Sequence, residues 1–361
     1  MMRGIAITNR LGIIAAALTL TATTQTGLAQ GCVAAHSSQP VISGLSSTER
    51  PSSSTNFLHG LTITTGFRTY SSFRHYVGTV YQLQRETAHN EVQNHADLYD
   101  LGLSYQLSPR WSLIADIPAM TATRHTQGAN PRNTFRSGGI GDVTVGTQAW
   151  IWRPPTESHG NIALSASLKL PTGINDAKGK KLFSNGTIQT QPFDESIQPG
   201  DGTWGFSLAT VAYRQLYFHT YGYFTGSWLF SPADTTGVLT FRSAKGEGVI
   251  SATDQYLWRG GFSRNIPRIR GLALSAGARM EGIPVRDAFG KSNGFRRPGY
   301  VISFEPGAMY SWRRYEVNVS GPWALQRNRK RSVTDIASGP RVHGDAAFSD
   351  YTVIASISHT F

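Results

Sequence analysis

Residues 216–230 read LYFHTYGYFTGSWLF, and the reading of this stretch decides the architecture. Its even positions carry Leu216, Phe218, Thr220, Gly222, Phe224, Gly226, Trp228 and Phe230. Its odd positions carry Tyr217, His219, Tyr221, Tyr223, Thr225 and Ser227. A period of two places successive side chains on opposite faces of a strand, here one apolar face and one hydroxyl-bearing face. The pattern recurs on either side. Ile162, Leu164, Ala166, Leu168 and Leu170 alternate with Ala163, Ser165, Ser167 and Lys169. Leu272, Leu274, Ala276, Ala278 and Met280 alternate with Ser275, Gly277, Arg279 and Glu281. At the C-terminus Tyr351, Val353, Ala355, Ile357 and Phe361 alternate with Thr352, Ser356, Ser358 and Thr360.

Alternation alone suits a soluble sandwich as well as a membrane barrel, and the spacing of the connections separates them. Residues 107–110, 214–215 and 312–313 read as tight turns, and 154–159 and 265–270 as short links. Between them lie long polar stretches at 86–94, 122–138, 172–201, 231–251, 283–299 and 322–349. Short and long connections alternate strictly, as periplasmic turns and outer loops do in outer-membrane barrels. The strands are also long enough to cross a bilayer, which takes about 9–11 residues. With both chain ends on the periplasmic side, counting back from Phe361 gives eleven strands from about residue 95 and one more before residue 86. The fold expected is therefore all-β, a transmembrane antiparallel β-barrel of about 12 strands. Residues 57–84 should supply its first strand, preceded by a bulged or lumen-folded segment.

Composition agrees. Hydrophobic residues make up 39% and charged residues 16%, against about 45–50% and about 25% in soluble domains. Half of each strand facing lipid and half facing a polar interior accounts for both deficits. Trp111, Trp150, Trp152, Trp204, Trp228 and Trp312 fall at expected strand ends, where interfacial girdles belong. A single cysteine excludes a disulfide framework and a cysteine-based zinc site. The ten histidines show no metal-ligand spacing, so neither a metal nor a cofactor is expected.

The N-terminus reads as an address. Arg3 and Arg10 precede the apolar run 11–20, LGIIAAALTL, and Gly27-Leu28-Ala29 offers small residues for cleavage after Ala29. This is the layout of a secretory signal over 1–29. Residues 30–56, rich in Ser and Gly, read as a flexible leader, and 57–361 as the barrel. The destination is the outer membrane of a Gram-negative bacterium.

Phe361, with apolar residues at alternate preceding positions, resembles the terminal signal that barrel-assembly machinery reads; His359 stands where that signal often has Tyr. The chain also resembles the outer-membrane family named for the putative MetA pathway of phenol degradation, over roughly residues 60–361. The resembling stretches are Gly139-Ile-Gly-Asp-Val-Thr-Val-Gly146, Gly160-Asn161 through Leu168-Lys-Leu-Pro-Thr-Gly173, Gln198-Pro-Gly-Asp-Gly202 and Gly294-Phe-Arg-Arg-Pro-Gly-Tyr300. The resemblance implies a transporter-type barrel, raises the expectation of small organic or aromatic solutes, and brings no catalytic residues.

Function should be written on the inward faces. By alternation Asp100, Asp116, Asp142, Lys169, Arg259, Arg279, Glu281, Glu305 and Glu316 point to the lumen. A lipid-facing Arg or Lys near the bilayer midplane costs about 2–4 kcal/mol, so inward placement is nearly forced. These residues either line a path for a small-molecule solute or fill a closed interior with ion pairs. Gly139-Ile-Gly141-Asp142 is not a phosphate loop, because position 144 is Thr and no helix follows.

The clusters Arg296-Arg297 and 327–331 (RNRKR) fall in outer loops. There they suit contact with outer-membrane lipid and lipopolysaccharide, or attraction of anionic solutes; no nucleic-acid platform accompanies them. The reading is a passive channel or transporter rather than an enzyme. Two alternatives stand beside it. One is a lipid or ester hydrolase with an external site, for which His343, Asp345 and Ser349 share one loop; no nucleophile-elbow spacing supports it. The other is a structural or surface-interaction barrel.

Overall fold

The computed structural model describes residues 60–126, 132–152, 159–240, 242 and 244–361. The signal at 1–29 and the leader at 30–56 lie outside the described residues.

Twelve strands form the wall: β1 (Leu61–Val77), β2 (Val92–Gln106), β3 (Trp111–Thr126), β4 in two pieces (Asn133–Ile140 and Thr144–Trp150), β5 (Gly160–Lys169), β6 (Gly205–Tyr217), β7 (Thr220–Phe230), β8 (Gln255–Asn265), β9 (Leu272–Ile283), β10 (Gly299–Trp312), β11 in two pieces (Tyr315–Ser320 and Trp323–Arg329) and β12 (Ala346–Thr360). Each pairs antiparallel with its sequence neighbour, and β12 returns to β1 in the register Thr62↔Thr360 through Tyr76↔Ala346. Closure leaves no unpaired edge in lipid, the condition that lets strands cross a bilayer. At the seam the Thr62 and Thr360 hydroxyls lie 3.0 Å apart and those of Thr64 and Ser358 2.9 Å apart, while the Phe361 N–H donates to the Leu61 carbonyl at 2.9 Å.

The alternation resolves into two faces. Leu113, Val145, Leu164, Leu208, Phe224, Phe262, Leu274, Val317 and Ile357 are exposed on the outside. Exposed aromatics bound this apolar band. Tyr99, Trp204, Trp258, Phe304, Trp323 and Tyr351 stand on one side, and Trp111, Trp152, Tyr217, Trp312 and Tyr315 on the other. From Phe304 to Trp312 is about 26 Å along the strand at ~3.3 Å per residue, or about 20 Å along the membrane normal at the usual tilt. Beyond the upper ring, β1 to β4 and β10 to β12 continue as a rim with polar residues on both faces.

That rim explains where the sequence boundaries move. Residues 122–138 are mostly strand, since β3 runs to Thr126 and β4 starts at Asn133. Residues 322–349 contain the upper piece of β11, a short helix Val333–Ser338 capped by Ser332, and the start of β12. Above the lipid, strands need no apolar face, so alternation carries no signal there. The turn expected at 214–215 is also displaced. Arg214 and Gln215 pair with Gly222 and Tyr221, and the chain reverses at Phe218 and His219, both at positive φ. A turn without Gly, Asn or Pro is invisible to turn chemistry. Strand β1 is single, as expected, but its bulges lie at Tyr70–Arg74, near its end, and the segment after it holds a two-residue strand and the helix Leu83–Thr87.

Candidate functional site

Connection 170–204 folds back into the mouth of the barrel, and three glycine-rich stretches hold its base. The Asp142 carboxylate, in the break between the two pieces of β4, accepts the N–H groups of Gly173 and Asp201, each at 2.9 Å. Gly173 packs against the backbone of Gly141 and Gly200 so closely that a Cβ there would lie 2.7 Å from one and 2.8 Å from the other. Lys169 reaches Asp142 at 3.6 Å and pairs with Asp201. Burial opposes the Asp201 charge, but Lys169 outweighs it and holds the carboxyl below its usual range. The stretches around Asp142, Gly173 and Gly200 thus meet at one clasp.

From this clasp the tip of the connection enters the interior. Ile197, fully buried, packs with Tyr70, Ala96, Leu98, Met120 and Ala122 from the inner faces of β1, β2 and β3. Asp194 accepts two hydrogen bonds from Arg297, at 3.0 and 2.6 Å, and lies 3.4 Å from Arg124 of β3. All three side chains are at most 2% exposed. Burial raises the Asp194 pKa, but the two guanidiniums lower it by more, leaving the carboxyl well below its ordinary value. Glu195 next to it is pushed up to about 7, chiefly by burial, with Arg297 pulling the other way.

Below the tip a chain of charges runs along the inner wall. Arg68 of β1 donates to Glu281 of β9 at 2.9 Å, four strands away around the barrel. Glu281 also accepts from Arg279 at 2.8 Å; Arg279 approaches Glu305 at 3.9 Å, and Glu305 accepts two bonds from Arg259 at 2.8 and 2.6 Å. Asp100, Asp116 and Glu316 lie buried on β2, β3 and β11, and Glu316 accepts from Asn318 at 2.9 Å. The nine charged residues singled out by alternation have buried or largely buried side chains. Six of them, Asp142, Lys169, Arg259, Arg279, Glu281 and Glu305, are held in the two clusters described. The remaining inner wall mixes small residues, among them Thr64, Gly102, Ser165, Ser167, Ser275 and Gly307, with the buried side chains of Tyr213, Tyr223, Leu257 and Met309.

Of the basic clusters expected on the surface, Arg296, Arg297 and Arg329 are buried, Arg327 and Arg331 are half-buried and Lys330 is exposed. Arg296 pairs with Asp287, Arg297 with Asp194, Arg327 with Asp350 and Arg329 with Asp335. Among the described residues the hydrolase trio is not assembled either. His343 Nε2 lies 2.7 Å from the Arg329 carbonyl, and Asp345 is taken up by His75 and Arg85, each at 2.8 Å. The residues missed at the sequence level are Arg68, Arg124, Asp194 and Ile197. Arg68 shares the parity of Thr64 and Tyr70 and was legible; Asp194 and Ile197 sit in a connection with no period to read.

No family model and no curated protein matches the chain. Among solved structures, an outer-membrane channel from Pseudomonas putida F1 shares the fold, with TM-score 0.52 and 12% identity over 84% of this chain and 96% of that one. The β domain of the Bordetella autotransporter BrkA aligns at TM-score 0.44 and 12% identity, over 83% of this chain and 100% of that one. The toluene transporter TodX of P. putida aligns at TM-score 0.42 and 11% identity, over 84% and 90%. The first establishes the architecture as that of an outer-membrane barrel.

Proposed function

We propose that this protein is a passive channel of the Gram-negative outer membrane for small molecules, with small organic or aromatic compounds as its solute class. The observation that supports this most is the division of the interior: a wall that mixes small polar with aromatic and aliphatic residues, two clusters of compensated charge, and one outer connection seated in the mouth. A barrel filled only for structure has no need of a separately clasped and ion-locked tip over that wall. The motifs around Asp142, Gly173 and Gly200, which carry the resemblance to the MetA-pathway family, build the clasp, and a transporter of that family is the reading they favour. Asp100, Asp116, Asp142, Lys169, Arg259, Arg279, Glu281, Glu305 and Glu316 set the polarity of the path. Phe361, bonded to β1 at the seam, is the assembly signal for the barrel-assembly machinery. The channel requires no cofactor and no catalytic residue. Refolded protein in planar bilayers tests the reading: discrete conductance steps are expected, and their absence from folded, inserted protein would refute it.

A further inference from the structure

Above Lys169, β5 stops while β3 and the upper piece of β4 continue. The gap in the wall is filled by residues 174–182. Ile174 N donates to the Ile140 carbonyl at 3.2 Å, and Asn133 exchanges two hydrogen bonds with Leu182, at 2.9 and 3.0 Å. Those two contacts lay the segment antiparallel beside 133–140, which sets Lys178 and Lys180 alongside Arg136. The segment then turns into the hairpin Lys178–Leu182 with Ile188–Pro192.

Orientation follows from what lies beneath. Gly179 rests on the Phe193 ring, where a Cβ would come within 2.3 Å, and Phe193 packs on Phe135, whose centroid is 5.7 Å away on the inner face. The opposite face therefore looks outward. It carries Lys178, Lys180 and Leu182, with Ile188 and Thr190 across the hairpin and Arg136, Ile140 and Ile174 beside it, all exposed. The one acid on this face, Asp176, lies 3.4 Å from Lys178. Three cations and a row of apolar side chains thus stand just above the exposed Trp204 of the upper aromatic ring.

We propose that this face docks the phosphorylated glycolipid of the outer leaflet, lipopolysaccharide. Arg136, Lys178 and Lys180 would contact its phosphates, and Ile140, Ile174, Leu182 and Ile188 would lie against its acyl chains. Charge and position favour this occupant. The cations face sideways at the height where headgroup phosphates begin, and the apolar side chains continue the lipid-facing band upward. Lysine and arginine stems lie along apolar surface while their charged ends reach polar groups. The proposal rests on the outer-membrane reading but not on conduction.

The test uses the purified full barrel in detergent, with lipid A as the probe and binding read by native mass spectrometry. The triple variant Arg136→Gln, Lys178→Gln, Lys180→Gln should lose at least fivefold in bound lipid A while keeping the heat-modifiable gel mobility of the folded barrel. Lys178→Arg with Lys180→Arg should retain it. Binding unchanged in the folded triple variant overturns the proposal, as does equal binding of phosphatidylglycerol by the wild-type barrel. Loss of folding in the triple variant shifts the test to Lys180→Gln alone, where an unchanged affinity refutes it. Absence of conductance in bilayers would refute the channel reading and leave this result standing.

Discussion

Replacing Asp194 by Asn removes the charge that locks the tip of 170–204 inside the barrel. Asp194 takes two bonds from Arg297 and lies 3.4 Å from Arg124, with every side chain at most 2% exposed. Deleting one partner of a buried pair costs about 3–5 kcal/mol, because the remaining charge stays desolvated and uncompensated. Here two guanidiniums are left. At about 1.4 kcal/mol per tenfold, the ratio of seated to released tip should fall by roughly two to more than three orders of magnitude. Against this stands the burial of Ile197, worth about 1.5–3 kcal/mol, while the clasp at Asp142 holds only the base. The tip is therefore expected to leave the mouth with the barrel intact. In a Cys32→Ser background, Ser196→Cys provides a near-isosteric reporter in the tip. Its maleimide labelling should accelerate at least a hundredfold when Asp194→Asn is added, and single-channel conductance should rise. Equal labelling rates and equal conductance in folded protein would refute the lock.

Four further outcomes are expected. Glu195, raised to about 7 from 4.5, binds its proton more tightly in the seated tip. Its contribution therefore favours seating at low pH and is lost as pH rises through about 7; channel activity should increase over that window, and Glu195→Gln should flatten the profile. Arg279→Glu would place a third carboxylate beside Glu281 and Glu305, a change expected to lower the yield of heat-modifiable barrel, and normal yield would argue against a buried chain. Cysteine at Gly186 should label from outside intact cells, whereas cysteine at Phe218 should label only after the outer membrane is opened. Deleting Phe361 removes the bond to Leu61 and should reduce assembly without reducing export, measured as membrane-inserted against periplasmic protein.

The wall was legible because lipid imposes a simple rule. Leu164, Leu274 and Ile357 must face outward and Lys169, Arg279 and Ser358 inward, and the alternation of short and long connections supplied the topology. Legibility ended where the rule ends. On the rim neither face meets lipid, so β3 beyond Ala122 and β4 from Asn133 resembled loop. At Phe218-His219 the turn uses residues with no turn signature. Parity assigns the strand charges to the inner face but does not give their partners. Arg68 reaches Glu281 across four strands, and Arg124, Asp194 and Arg297 come from three distant segments. Such juxtapositions depend on barrel curvature and on the path of 170–204, which no local pattern records. Arg296 and Arg297 read as surface charge because Asp287 and Asp194, their counter-charges, lie 9 and 103 residues away.

Solute flux tests the central claim most directly. Folded wild-type protein reconstituted into liposomes should admit small organic solutes faster than protein-free liposomes, and the Asp194→Asn barrel should admit them faster still. If neither protein, shown to be inserted and folded, raises the rate of solute entry above that of empty liposomes, the channel account is contradicted.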